Sequence, residues 1–166
     1  MSQRKLNHEE RIVAQRVFRR TLPYDSIYIT DRLGSGRRAY TINIMAVDVP
    51  FDSRPANDRD LYLLNVGPDG FKGMQKDLSW LLIHELTHVW QSAHSAWPPS
   101  FIFNSLWHQM LKRDRAYEYK PGAGWKAYNV EQQAMIVQDW FERSMDPNDP
   151  NYTYIRDVIR AAKPLR

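Results

Sequence analysis

Leu81-Leu-Ile-His-Glu-Leu-Thr-His-Val-Trp-Gln91 is the stretch on which the reading of this chain turns. Leu81, Leu82, Leu86 and Val89 recur at helical spacing and give a helix an apolar flank to bury. On that helix His84 and His88 stand four residues apart, so they project from one face, one turn apart. Two imidazoles placed in this way can ligate the same ion. Glu85 sits beside them and reaches a metal-bound water without ligating the metal. The chemistry this spacing serves is hydrolytic. A bound zinc acidifies its water, Glu85 takes the proton, and the hydroxide attacks a carbonyl that the metal polarises.

A catalytic zinc usually has three protein ligands and one open position. His94 lies six residues past His88, but the glycine and spacing of the long His-rich zincin pattern are missing. The better third ligand is Glu131, in Asn129-Val-Glu-Gln-Gln-Ala-Met135, on another amphipathic helix. A carboxylate among apolar neighbours such as Val130 and Ala134 calls for a cation. Its plain alternative is a surface acid near a helix start, where negative charge is also favoured. Two histidines with a helix-borne glutamate define the gluzincin type.

His-Glu-Leu-Thr-His-Val-Trp-Gln at 84–91 is followed by Tyr117-Glu-Tyr119, by Trp125, and by Asn-x-Glu-Gln-Gln-Ala at 129–134. Together these resemble the small metallopeptidase domains at the C-termini of type VI secretion spike (VgrG) proteins. Similar domains occur in Rhs-type and other bacterial toxin-associated proteins. The resemblance covers roughly residues 77–145. It implies Zn2+ held by His84, His88 and Glu131, with Glu85 as catalytic base. It also implies an antibacterial effector acting on a protein or peptide substrate. A secretion-apparatus partner of spike or Rhs type, or an immunity protein, would go with that role.

The tetrahedral oxyanion needs a donor besides zinc. Tyr117, Tyr119, Tyr128, His94 and His108 offer one, and Tyr117 and Tyr119 are preferred because they belong to the resembling stretch. Gln91 and Asn129 are candidates for orienting the metal ligands from behind.

Around this centre the chain reads as an α+β domain spanning residues 1–166, zincin-like, with a three-stranded sheet among about five helices. Asn7-His-Glu-Glu10 forms a capping box for a first helix that Pro23 ends. Ser26–Thr30 and Ala39–Met45 alternate as strands joined by Gly34-Ser-Gly36. Leu61–Val66 is the third strand, the edge that would hold an extended substrate, and Gly67-Pro-Asp-Gly70 stops it. Asp77 caps the helix that carries the two histidines and runs to about Ser95. Further helices are expected over 100–113, with Phe101, Leu106, Trp107 and Met110 for burial, over 126–144, and from Asp149-Pro150 to Arg160.

Composition bounds the rest. There is no cysteine, which excludes disulfides and Cys-ligated zinc. No apolar run is long enough to span a bilayer, and the N-terminus lacks the apolar core of a signal peptide. The expectation is a protein made in the bacterial cytoplasm and delivered to the periplasm of a target cell. The net charge of +4 is concentrated in the first 40 residues, but the arginines are dispersed and no nucleic-acid motif accompanies them. The competing function is a zinc-bearing adaptor of a secretion particle without activity. The intact Glu85 argues against it, because an adaptor needs no base.

Overall fold

A computed structural model describes residues 2–33, 39–45, 60–74, 76–94 and 117–165, with residues 42–45 and 60 described through their backbone. The expected helix over 100–113, with Phe101, Leu106, Trp107, Met110 and His108, lies outside the described residues.

Strand β1 (Gln3–Lys5) is followed by helix α1 (His8–Phe18), strands β2 (Ile27–Thr30), β3 (Tyr40–Met45) and β4 (Asp60–Asn65), and helices α2 (Gly67–Lys72) and α3 (Ser79–His94). Helix α4 (Val130–Glu142) and a last short helix, α5 (Tyr152–Tyr154), complete the order; α5 passes into a π-turn over Ile155–Ile159. The class is α+β, but the sheet has four strands among the described residues, in the order β1-β2-β4-β3. The additional strand, β1, is Gln-Arg-Lys. Its polar side chains carry no alternation, so only its antiparallel pairing with β2 reveals it.

The two strands flanking Gly34–Gly36 are consecutive in sequence yet not neighbours. β4 lies between them, parallel to β2 and antiparallel to β3. Asn65 helps hold it there. Its buried side chain receives a hydrogen bond from Thr30 Oγ1 at 2.7 Å and donates to Tyr40 O at 3.3 Å, so one amide touches both flanking strands. Leu61–Asn65 is therefore an interior strand and not the substrate-facing edge. Among the described residues the edge strands are β1 and β3.

Helix α1 starts at the expected box. Asn7 Oδ1 accepts from Glu10 N–H, and Glu10 Oε2 accepts from Asn7 N–H. Glu10 also takes Arg4 on both carboxylate oxygens, at 2.7 and 2.8 Å, and the Met74 N–H at 3.0 Å. The helix stops at Phe18, ahead of Pro23, because Arg19 adopts φ 53 and Thr21 Oγ1 takes the Phe18 carbonyl. Gly67-Pro-Asp-Gly70 does not form a turn but opens α2 directly. Gly67 has φ +76, and a Cβ there would lie 2.9 Å from Leu33, so the position needs glycine.

Helix α3 packs on β3, α1 and α4. Every residue from Leu82 to Ser92 is buried, so it is a central helix and not a surface one. Leu82, Ile83, Leu86 and Val89 join Phe18, Ile27, Ile29, Tyr62, Leu64, Val137 and Trp140 in the main core. Helix α4 begins at a second box: Asn129 Oδ1 accepts from Gln132 N–H and Gln132 Oε1 from Asn129 N–H. No helix among the described residues is long and apolar enough to cross a membrane.

Candidate metal centre

Because α3 and α4 pack face to face, their polar residues at the contact meet inside the protein. His84 and His88 from α3 and Glu131 from the first turn of α4 bring one ligand atom each within 4.8 Å of one another, all three residues buried. Glu131 is 2% exposed and His88 1%. The rings of His84 and His88 stand edge to face with centroids 5.0 Å apart.

The spacing within this triangle suits a metal ion as well as direct, long hydrogen bonds. His84 Nε2 lies 3.3 Å from Glu131 Oε2, and His88 Nε2 lies 3.5 Å from Glu131 Oε1. These exceed the usual N–H···O distance of about 2.9 Å. Ligands about 2.05 Å from a tetrahedral ion stand about 3.3 Å from one another. The residues present therefore fit a divalent ion bound through two imidazoles and a carboxylate.

The charges agree with that use. Burial would press the His88 pKa down, but the Glu131 carboxylate beside it outweighs burial and pushes it up to about 9. Burial would likewise raise Glu131, yet the two imidazoles hold its carboxyl well below the ordinary range. A cation or a proton must share this pocket with the carboxylate.

Glu85, 2% exposed, is turned to β3, where the Thr41 hydroxyl donates to its Oε2 at 2.7 Å. His84 and Glu85 open onto a cleft of about 700 Å³ whose walls include Leu33, Val66, Leu78, Trp80, Leu81 and Met135. Tyr117 lines this cleft as well. Tyr119 does not. Its hydroxyl donates to Asp139 Oδ2 at 2.6 Å and accepts from Asn151 Nδ2 at 2.6 Å, away from the histidines. Tyr128 donates to Lys120 O, and His94 Nε2 lies 2.8 Å from Thr21 O, so neither reaches the cluster. Asn129 is the cap of α4, while Gln91 does meet His88 Nδ1, at 2.8 Å. Thr41 and Gln138, the latter 3.0 Å from His84 Nδ1, were not singled out from sequence. Gln138 stands two helical turns after Glu131 on the same face, a spacing that could have revealed it. Nothing in the sequence links Thr41 to Glu85.

No family model matches the chain. A 65-residue segment, 37% of the chain, is 40% identical to the type VI secretion system spike protein VgrG2b of Pseudomonas aeruginosa. The match spans 6% of that protein's length. Among solved structures, the effector domain of Pseudomonas aeruginosa VgrG2b superposes with a TM-score of 0.58 at 23% identity, covering 91% of this chain and 81% of that one. The fold is shared with that effector domain.

Proposed function

We propose that this chain is a zinc peptidase of zincin-like, gluzincin type, acting as an effector associated with a type VI secretion spike. One observation carries the chemical part. Two imidazoles and a carboxylate bring one ligand atom each within 4.8 Å of one another in a buried cluster, and a fourth group, Glu85, lies next to them without belonging to the triangle. Similarity to the VgrG2b effector domain supports the association with a secretion spike; the target-cell periplasm as site of action and an immunity protein as a further partner are part of the same proposal.

His84, His88 and Glu131 would hold the ion, which supplies Lewis-acid polarisation and an acidified water when bound. Glu85 accepts the proton from the attacking water and returns it to the leaving amine. Thr41 keeps that carboxylate aimed by donating to one of its oxygens. Tyr117, which lines the same cleft, would donate to the oxyanion. The side of β3 that pairs with no strand among the described residues accepts an extended peptide as a further strand. The apolar walls then receive a bulky apolar side chain next to the scissile bond.

Zinc content and proteolysis of a denatured protein mixture, wild type against Glu85→Gln, test the proposal together. The expected result is about one zinc in both proteins and cleavage reduced at least about a hundredfold in the variant. Equal cleavage by both would remove Glu85 from the chemistry and the peptidase assignment with it.

A further inference from the structure

Each imidazole of the cluster turns its Nδ1 to a glutamine oxygen: His84 to Gln138 Oε1 at 3.0 Å, His88 to Gln91 Oε1 at 2.8 Å. A neutral imidazole protonates one nitrogen and leaves a lone pair on the other. A carboxamide beside it selects either tautomer, according to which of its ends faces the ring. In both glutamines the NH2 end is already engaged. Gln138 Nε2 donates to Glu142 Oε2 at 2.9 Å. Gln91 Nε2 donates to Val130 O at 2.8 Å and to Gln133 Oε1 at 3.0 Å. Gln133 is oriented in turn, since its Nε2 donates to the carbonyls of Trp125 and Tyr128. Each chain of amides ends on a carboxylate or a backbone carbonyl, groups that only accept. The glutamine oxygens must then face the rings and Nδ1 must be the donor in both, which leaves Nε2, the nitrogen on the side of Glu131, as the one a metal would take in place of its proton.

We infer that Gln91 and Gln138 are positioning residues that hold Nδ1 of His88 and His84 as the donor and so present Nε2 to a metal. This rests on the reading of the cluster as a metal centre. The partners are neutral amides in a pocket that already buries the carboxylates of Glu85 and Glu131, so they orient the rings without adding a third negative charge. They also tie the site to different ends of α4: Gln91 to its first turn, and Gln138 to Glu142 at its last residue.

The test uses the full chain. In the zinc-loaded wild type, long-range 1H–15N correlation of the histidine rings should show Nδ1–H in both His84 and His88. Zinc affinity, measured by chelator competition, should fall about 10- to 100-fold in Gln138→Leu, with an altered visible spectrum of the cobalt-substituted protein. The double variant Gln138→Glu/Glu142→Gln restores an acceptor facing His84 and a donor behind it, and should recover affinity to within about threefold of wild type. Zinc-loaded wild-type rings that bind the metal through Nδ1 and carry the proton on Nε2 would overturn the inference, whatever the variants do. So would a Gln138→Leu protein that binds zinc as tightly as wild type. Wild type that binds no zinc would instead remove the metal centre itself, and the inference with it.

Discussion

Thr41→Val offers the sharpest test of how the proposed base, Glu85, is held, because it replaces a hydroxyl with a methyl of nearly the same volume. Thr41 Oγ1 donates to Glu85 Oε2 over 2.7 Å, and Glu85 is 2% exposed, so water has little access to replace the lost donor. A hydrogen bond to a charged group contributes about 1.5–3 kcal/mol. If that energy serves to aim the carboxylate, its loss should lower kcat about 10- to 100-fold. KM and zinc content should stay within about twofold of wild type, because neither cleft walls nor ligands change. Thr41→Ser keeps the donor and should retain most of the activity. The assay is steady-state hydrolysis of an internally quenched peptide with a bulky apolar residue beside the scissile bond. A double-mutant cycle completes it: in a Glu85→Gln background, Thr41→Val should cost nothing further, since there is no base left to aim. A Thr41→Val enzyme within twofold of wild type at full zinc occupancy would refute the reasoning. An undiminished effect in the Glu85→Gln background would do so too.

Metal analysis should find about one zinc per chain, lost in His84→Ala, His88→Ala and Glu131→Ala but kept in Glu85→Gln. The proton that His88 holds in the metal-free protein up to about pH 9 must leave when a metal binds. Zinc affinity should therefore rise about tenfold per pH unit between 7 and 9, and calorimetry in buffers of different ionisation enthalpy should detect the released proton. In the metal-free protein the sign is opposite. The stability from that proton is complete below the usual histidine range and is lost as pH rises through about 9, which thermal melts across pH with chelator present would trace. At the other end of the scale, burial would raise the Glu10 carboxyl, but Arg4 and two backbone N–H groups hold it below the ordinary range. Its contribution is present above the unfolded carboxylate range and lost as pH falls through the lowered value. Glu10→Gln should cost about 2 kcal/mol at neutral pH, or about 4–8 °C in Tm, and flatten the acid side of the melt profile.

What was legible in the sequence was local. The α1 box, the course of α3 and the same-face placement of His84 and His88 all follow from spacings within one helix. Glu131 was reachable because a buried acid on a patterned helix is costly without a partner. Relations that need two distant segments were not legible. β4 inserts between β2 and β3 through an amide that bonds both neighbours, and no alternation pattern encodes which strands pair. β1 carries only polar residues. Thr41 meets Glu85 across the packing of a strand on a helix, and Tyr119 is drawn away by Asp139 and Asn151, partners that no neighbouring position announces.

The capping box at Asn129 has a consequence beyond helix stability. Glu131 is the second residue of α4, so the place where that helix starts fixes where its carboxylate points. One residue of slippage would rotate the side chain by about 100° and shift it about 1.5 Å along the axis, taking it out of reach of both imidazoles. Asn129 and Gln132 thus act as a register pin for a centre to whose ligand set they do not belong. Loosening the pin and emptying the centre become the same event seen from two sides. Protection of the amides of Gln132 and Gln133 against hydrogen exchange should then report metal occupancy, though neither residue belongs to the ligand set.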